Sequence, residues 1–236
     1  MTHQSSDGKG SDGDSDGGGG GGNGRVVVFG GSGRVGRAVV AQARARGIEV
    51  TAAGRGDGEV TSAAEVARIA AGHDAAVVAV YDPGVAPGVF FPELARAMAQ
   101  GLATAGVRRL VAVGLASVLP TAAGPLLMDT PGYPQEWREF YVGHGAGNEA
   151  LRAAAPEGLD WAVLSPAGDF GEGDGSGGEG DGPVGGGYAF APADAASRIS
   201  HADFARAVLD EALAPTLHGV HAGVAGADPA GAVRGA

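Results

Sequence analysis

Short apolar runs alternate with amphipathic stretches along most of the chain. Arg25–Phe29 is a β-branched apolar run that ends in glycine, and Arg34–Arg46 has apolar residues at helical spacing before Gly47. This pattern is typical of a strand, a tight glycine turn and a helix. The same alternation continues and predicts strands at Ile48–Ala53, Ala75–Val80, Arg109–Val113, Leu159–Leu164 and Leu217–Val224, and helices at Ser62–Ala71, Phe91–Ala105, Pro134–Ala154 and Ser200–Leu213.

Strands that alternate with helices indicate parallel strands joined by right-handed crossovers. We therefore expect an α/β fold of the doubly wound Rossmann type, with a mainly parallel sheet and helices on both faces. The loop at residues 114–134 and the residues after 166 are expected to form a small C-terminal subregion. Ser200, with Asp203 three residues later, is expected to cap the last helix.

Two glycine-rich acidic segments stand apart from this alternation. Residues 1–24 hold 10 of the 46 glycines and no apolar residue after Met1, so we expect a disordered tail. Residues 171–187 hold another 10 and predict a flexible loop within the domain. The folded domain is expected to span residues 25–224, with a frayed end at 225–236.

The charge and cysteine content narrow the function classes. A formal net charge of −11 gives no electrostatic footprint for nucleic acid or for an anionic membrane. The chain has no cysteine, which excludes disulfides, thiol nucleophiles and cysteine-based zinc sites. No signal peptide or apolar stretch of membrane-spanning length occurs, so we expect a cytoplasmic protein.

The strongest chemical signal is the glycine turn from Gly30 to Gly36. It satisfies Gly-x-Gly-x-x-Gly directly between the first predicted strand and the first predicted helix, which is the context that a dinucleotide-binding fingerprint requires. The glycines permit the sharp turn, the approach of backbone N–H groups to a pyrophosphate and close packing of the helix on the strand. The helix dipole favours the bound anion.

The end of the second predicted strand bears on which dinucleotide binds. An acidic residue there hydrogen-bonds the ribose 2′-hydroxyl of NAD(H), whereas a basic residue accommodates the 2′-phosphate of NADP(H). The sequence is Ala53-Gly54-Arg55, with Arg34 in the glycine turn, so we prefer NADP(H) to NAD(H). Two alternatives stay open, since Arg55 can be an ordinary exposed residue and Asp57 can neutralise it.

These motifs together resemble the atypical short-chain dehydrogenase/reductases, in the NAD(P)H-binding group of NmrA-like proteins and biliverdin-reductase-B-like flavin reductases. The resemblance runs from about Arg25 to Val224. Its further marks are the stretches GHDAAVVAV at residues 72–80, RRLVAVG at 108–114 and the segment 148–168, which contains GLDWAVLSPAG.

The resemblance implies a set of ligand-binding positions. The pyrophosphate would be held by Gly30, Ser32, Gly33, Arg34, Val35 and Gly36. The 2′-phosphate would be bound by Arg55, and the adenine would lie near Glu59 and Val60. The ribose and nicotinamide would lie against Val80 and Tyr81, with Pro166 and Ala167 behind the nicotinamide. Ser117 would lie at the nicotinamide end of the site.

The sequence departs from the family pattern at the catalytic pair. Members with the full catalytic set carry a Tyr-x-x-x-Lys pair, in which lysine lowers the pKa of the tyrosine. Here Tyr141 is followed four residues later by Gly145, and the only lysine is Lys9. Tyr141 or His144 can still donate a proton and Ser117 can orient a carbonyl, although ordinary packing or capping explains each of them as well.

We therefore expect hydride transfer from NADPH to a small organic acceptor such as a flavin, quinone or carbonyl compound. The alternative is a non-catalytic NADP(H) sensor of the NmrA-like type. A sugar-nucleotide epimerase would need a larger substrate domain than the 72 residues after Leu164 provide. No metal site is expected at His218 and His221. The sequence leaves both a monomer and a homodimer open.

Overall fold

The computed structural model describes residues 24–171 and 187–227. The predicted tail at residues 1–23, most of the predicted flexible loop (172–186) and residues 228–236 of the predicted frayed end lie outside these ranges. The described strands are β1 (Val26–Phe29), β2 (Val50–Ala53), β3 (Ala75–Val78), β4 (Arg109–Val113), β5 (Asp160–Pro166), β6 (Asp169–Phe170), β7 (Tyr188–Phe190), β8 (Arg198–Ile199) and β9 (Val220–Gly226). The described α-helices are α1 (Arg34–Ala45), α2 (Ala63–Ala70), α3 (Pro87–Ala105), α4 (Arg138–Ala154) and α5 (His201–Leu213).

The main sheet has seven strands in the order β2-β1-β3-β4-β5-β9-β7. All neighbouring strands are parallel except β7, which pairs antiparallel with β9 at the edge. Strands β6 and β8 form a separate small parallel pair. The predicted α/β fold of the Rossmann type, with its mainly parallel sheet, is thus confirmed.

Both faces of the sheet are covered, which explains why its central strands read as continuous apolar runs. In β1, Val27 and Phe29 face a core formed with α2, α3 and α4, whereas Val26 and Val28 face a second core formed with α1 and α5. All four side chains are at most 1% exposed. The alternation follows from the two-residue period of a strand and fixes the strand in the middle of the molecule.

Serine hydroxyls cap two of the helices. Ser200 Oγ accepts a hydrogen bond of 3.0 Å from the Asp203 N–H, as the sequence predicts for the start of α5. Ser62 Oγ accepts one of 3.4 Å from the Glu65 N–H at the start of α2. Each cap satisfies one of the backbone donors that the first helical turn leaves without an intrahelical acceptor.

Several element ends differ from the predicted ones, and the largest shifts are at the starts of α3 and α4. Helix α3 begins at Pro87 instead of Phe91, because proline fits the first helical position. Helix α4 begins at Arg138 instead of Pro134, since the Gln135 side chain donates to the Met128 and Tyr133 carbonyls and keeps this stretch on the preceding loop. Strand β9 continues to Gly226, where it pairs with β7.

The loop at residues 114–134 packs against the chain after β5. Thr121 forms a bridge with Ala193, and the Ala193 N–H donates to the Pro120 carbonyl at 3.0 Å. Leu119, Leu127 and Ala193 share a small apolar cluster. Residues that follow β5 in the chain therefore hold this loop in place.

A buried ion pair joins the sheet to α5 at the end of the sheet opposite the glycine turn. Arg109, at the start of β4, is 5% exposed and contacts Glu211 of α5 at 3.1 Å and Asp160 of β5 at 2.8 Å. Glu211 also accepts hydrogen bonds from the Thr216 and Leu217 N–H groups. Both charges therefore keep hydrogen-bonding partners although they are removed from water.

Candidate functional site

A cleft of about 900 Å³ opens at the carboxyl ends of β1, β2, β3 and β4. The strand order runs outward from β1 in one direction to β2 and in the other to β3, so the chain reverses its winding between β1 and β3. In open α/β sheets, ligands bind outside the carboxyl ends of the strands at such a switch point. We call this space the cleft.

The glycine turn forms the floor of the cleft. Gly30 has φ = 84°, in the left-handed region, and a Cβ there would overlap the Ala79 carbonyl of the neighbouring strand end. Gly36 packs directly on the Gly30 carbonyl, which leaves no room for a Cβ. These two positions explain why the turn needs glycine at its first and last places.

Helix α1 begins at the cleft without a side-chain cap. Gly33 is its N-cap residue, and the N–H groups of Arg34, Val35 and Gly36 in the first turn have no intrahelical acceptor. Gly30, Ser32, Gly33, Arg34 and Val35 line the cleft, whereas Gly36 lies behind Gly30. Backbone donors at an uncapped helix N-terminus are suited to bind an anion, and we call this position the anion site.

Two arginines flank this anion site. Arg34 and Arg55 both line the cleft and are exposed, and neither has a carboxylate within 4.0 Å among the described residues. Asp57, which the sequence offers as a neutralising partner, accepts a hydrogen bond of 2.7 Å from the Gly54 N–H and forms no ion pair with Arg55. Neither arginine is therefore held in an ion pair by a described residue, although Glu59 and Asp82 also line the cleft.

The other predicted binding residues divide into two sets. Glu59, Val60, Val80 and Tyr81 line the cleft. Pro166 and Ala167 do not line it, because both are buried where the end of β5 meets β9. The residues predicted for the nucleotide end therefore lie close together in the structure. The two residues predicted to lie behind the nicotinamide do not line the cleft.

Tyr81 is 43% exposed and belongs to an aromatic cluster at the cleft wall. Its ring stacks on Phe91 at 5.8 Å and meets the edge of Phe140 at 4.9 Å. The His144 ring lies 3.7 Å from that of Phe91 and 4.9 Å from that of Phe140. Contacts with Phe91 of α3 and Phe140 of α4 therefore hold the His144 ring at the cleft wall.

His144 is the one predicted catalytic residue that lines the cleft. Burial lowers its pKa to about 3, and the nearby His221 acts in the same direction. The imidazole is therefore neutral at physiological pH. A neutral imidazole can donate one hydrogen bond and accept another, but it is a weak proton donor.

The other two predicted catalytic residues lie away from the cleft, in the apolar packing of the loop at 114–134. Ser117 is fully buried and neighbours Tyr133. Tyr141 is 8% exposed and packs on Val118, Met128 and the edge of the Tyr133 ring. Burial raises the pKa of Tyr141, which is the opposite of the shift that a lysine partner produces.

Sequence reasoning missed several residues of the cleft. Gly114 lines it from the end of β4, and Asp82 and Phe90 line it from the chain after β3. Phe170 and His201, from β6 and the start of α5, stack at 4.1 Å with 9° between the ring planes and also line it. Only Gly114 carried a usable signal, since it directly follows a predicted strand; the others come together through the tertiary fold.

A smaller cavity of about 50 Å³ lies beside the cleft between the sheet, α3 and α4. Its walls are mostly aliphatic, and His144 and Asn148 supply polar groups. Val80, Val113 and His144 border both spaces. We call this space the inner cavity.

Two further properties concern metals and membranes. Across residues 24–171 and 187–227, no group of three or more His, Asp or Glu residues is placed to hold a metal ion. None of the helices in these ranges has both the length and the apolar character that a membrane span requires.

Residues 56–215 match the model of a family described as NAD(P)H-binding. The matched range begins after the glycine turn. The chain is also 32% identical over 201 residues to protein YwnB of Bacillus subtilis, an alignment that covers 79% of this chain and 91% of that protein.

Solved structures with the same fold come from several bacteria. A candidate epimerase from Bacteroides thetaiotaomicron superposes with a TM-score of 0.70 at 26% identity and covers 86% of this chain and 97% of its own. A candidate exported protein from Burkholderia pseudomallei gives 0.69 at 25% identity, with coverage of 86% and 99%. A candidate NADH-flavin reductase from Streptococcus pneumoniae gives 0.67 at 24% identity, also with 86% and 99%, which shows the shared fold alone.

Proposed function

Because this chain belongs to the NAD(P)H-binding family, we propose that it is an NADPH-dependent oxidoreductase that transfers hydride to a small organic acceptor. The observation that carries the proposal is the cleft itself. It combines uncapped backbone donors at the start of α1 with two arginines that have no acidic partner among the described residues.

The residues present fit a dinucleotide. The N–H groups of Arg34 and Val35 would hold the pyrophosphate, and the close packing at Gly30 and Gly36 keeps side chains out of its way. Val60 and Glu59 would border the adenine. When bound, the cofactor supplies the hydride, so the protein has to bind it, orient it and exclude water.

The preference for NADPH over NADH rests on Arg34 and Arg55. A guanidinium binds phosphate oxygens through two parallel hydrogen bonds, and both arginines are exposed at the end of the cleft where β2 terminates. The tip of β2 has the sequence Ala53-Gly54-Arg55, which contains no acidic residue, and the nearby Asp57 carboxylate accepts a hydrogen bond from the Gly54 N–H at 2.7 Å. Both facts favour a 2′-phosphate.

The acceptor that suits the other end of the cleft is a flavin or quinone. Aromatic groups reach this region from both faces of the sheet: Tyr81 and Phe90 on one side, and the Phe170–His201 stack on the other. Planar rings pack well on such surfaces. A simple carbonyl needs a strong proton donor, and neither Tyr141 nor Ser117 lines the cleft. A flavin or quinone depends less on one.

The absence of Tyr141 and Ser117 from the described cleft lining also favours a second candidate function. A non-catalytic NADP(H) sensor needs the nucleotide end of the cleft but no proton donor. This candidate shares the cofactor with the oxidoreductase and differs from it only in turnover.

The first experiment is a binding titration with NADPH, NADP⁺, NADH and NAD⁺, followed by NADPH oxidation at 340 nm with flavin and quinone acceptors. We expect NADPH to bind about tenfold or more tightly than NADH, and oxidation to depend on the acceptor. Binding without oxidation by any acceptor would favour the sensor. Failure of all four dinucleotides to bind would overturn both candidates.

Arginine variants test the basis of the preference. Replacing both arginines, Arg34→Ala with Arg55→Ala, is expected to weaken NADPH binding about tenfold, which corresponds to about 1.4 kcal/mol, and to leave NADH binding nearly unchanged. The control is Arg96→Ala on α3, an exposed arginine that does not line the cleft. An equal loss for both dinucleotides would show that the arginines do not read the 2′-phosphate.

A further inference from the structure

Three polar side chains form a hydrogen-bonded array directly behind the cleft wall. Ser165 Oγ lies 2.7 Å from His221 Nε2, and Asn148 Nδ2 lies 3.3 Å from His221 Nδ1. The three residues come from β5, β9 and α4, so distant parts of the chain converge on one imidazole. We call these residues the Ser165 array.

Gly114 separates the array from the cleft. It lines the cleft, and a Cβ at this position would lie 2.6 Å from Ser165 Oγ and 3.2 Å from His221 Nε2. The order hydroxyl, imidazole, amide resembles that of a nucleophilic triad. Ser165 is fully buried, however, and a carbonyl substrate cannot reach its Oγ. The array therefore needs another explanation.

The inner cavity connects the array to His144. His144 and Asn148 lie four residues apart on α4 and therefore on the same face of the helix, and both border this cavity. A volume of about 50 Å³ accommodates water, which is stable in such a space when it has polar partners. The imidazole and the amide are those partners.

Both imidazoles are neutral, so each has one N–H and one lone pair. Burial lowers the pKa of His221 to about 4 and that of His144 to about 3. With the Asn148 amide nitrogen donating to Nδ1, the proton of His221 lies on Nε2 and is donated to Ser165 Oγ. Which nitrogen of a neutral imidazole carries the proton is set by the hydrogen bond that the other nitrogen makes.

We propose that Asn148, held by His221 and Ser165, is a positioning residue that fixes the tautomer of His144 through water in the inner cavity. The array thereby holds one His144 nitrogen with a defined proton state toward the cleft. The effect on turnover rests on the proposed oxidoreductase function, whereas the effect on the imidazole itself does not.

The direct test is ¹⁵N NMR of the histidine rings in the unliganded protein. The His144 resonances are assigned with His144→Asn, and the chain has only six histidines. In the wild-type protein at pH 7, we expect one dominant His144 tautomer, seen as two well-separated ring ¹⁵N shifts. In Asn148→Leu, the two shifts should move toward each other as both tautomers become populated.

A second variant changes the other end of the array. It separates the loss of the hydrogen bonds from any effect that leucine at position 148 has on local packing. Ser165→Ala removes the hydroxyl without adding volume and is expected to shift His144 in the same direction. Glu149→Gln, at an exposed neighbouring position on α4, should leave the His144 shifts unchanged. Unchanged His144 shifts in both Asn148→Leu and Ser165→Ala would overturn the proposal.

Steady-state kinetics test whether the positioning of His144 by Asn148 affects turnover. Asn148→Leu is expected to lower kcat about tenfold with a quinone acceptor and to change the KM for NADPH less than twofold. Combining Asn148→Leu with His144→Asn should lower kcat no further than His144→Asn alone, because both changes act on one group. Additive losses would contradict the assigned route. If no acceptor is reduced at all, the proposed function fails while the NMR result still decides the positioning role.

Discussion

Gly36 shows how one missing side chain shapes the glycine turn at the proposed nucleotide end of the cleft. Within a helix, alanine is ordinarily more stable than glycine by about 1 kcal/mol. At Gly36, a Cβ would overlap the Gly30 carbonyl, so the backbone of the turn has to move. We predict that Gly36→Ala lowers the free energy of unfolding by about 1–3 kcal/mol and abolishes NADPH binding.

Gly88 provides the matched control for this change. It lies in the first turn of α3, and nothing lies within 4 Å of a Cβ placed there. Gly88→Ala should be neutral or stabilising in urea unfolding and should leave NADPH binding unchanged. If both alanine variants behave alike, the close approach of α1 to the turn is not what requires Gly36.

The partly buried histidines His144 and His221 make stability depend on pH. In the unfolded chain a histidine has a pKa of about 6.5, whereas in the folded protein that of His144 is about 3 and that of His221 about 4. Between pH 6.5 and these values the unfolded state binds more protons, so stability falls as the pH falls. Each histidine contributes a slope of up to about 1.4 kcal/mol per pH unit.

We therefore predict that His144→Gln flattens the dependence of the unfolding free energy on pH between about 6 and 4. The measurement is urea unfolding of both proteins at half-unit pH steps. From pH 7 to 9 both states hold neutral histidines, so the two curves should run parallel there. An unchanged slope below pH 6 would mean that the pKa of His144 in the folded protein is close to its value in the unfolded chain.

At the residue scale, the sequence predicts the residues of the proposed nucleotide end of the cleft better than those of the proposed acceptor end. The nucleotide end is built largely from one continuous stretch, Gly30 to Val35, together with Arg55, and local motifs therefore reveal it. Phe170 and His201 are separated in the chain by thirty residues and meet only through the packing of β6 and α5. No local spacing predicts such a pair.

At the element scale, the periodic pattern predicts most helices and strands and fails at particular ends. The apolar runs of β1 and β3 are unambiguous because both faces of the sheet are covered. The pattern misses β7 because it is only three residues long and its side chains are largely exposed. Its place in the sheet depends on antiparallel pairing with β9, which is a tertiary contact.

The Arg109–Glu211 pair joins α5 to the sheet, and breaking it should destabilise the protein. Their side chains are 7% and 3% exposed, so removal of one leaves the other charge buried. We predict that Arg109→Met lowers the free energy of unfolding by about 3–5 kcal/mol. The measurement is urea unfolding followed by circular dichroism.

An exposed ion pair supplies the comparison. Arg138 and Asp129 have side chains 44% and 42% exposed, so Arg138→Met should cost at most about 1 kcal/mol. A loss from Arg109→Met no larger than that from Arg138→Met would show that Glu211 keeps adequate partners in Thr216 and Leu217 alone.

At the scale of the whole molecule, the family match covers only some of the residues that line the cleft. The family match spans residues 56–215, whereas the turn and Arg55 precede it. These earlier residues nevertheless complete the cleft, because β1 lies between β2 and β3 in the sheet. Binding of a dinucleotide should therefore stabilise the fold, since the proposed cofactor site draws on residues from both stretches.

This linkage gives a last prediction. A ligand that binds only the folded state, present at 100 times its Kd, raises the free energy of unfolding by about 2.7 kcal/mol. We expect NADPH to produce this rise in the wild-type protein and, at the same concentration, about 1.3 kcal/mol less in the variant that carries both Arg34→Ala and Arg55→Ala. The measurement is urea unfolding with and without NADPH, with NADH as the matched ligand without a 2′-phosphate. Equal stabilisation of both proteins by NADPH would place the cofactor away from the arginines, because a tenfold weaker complex at the same concentration has to stabilise the fold less.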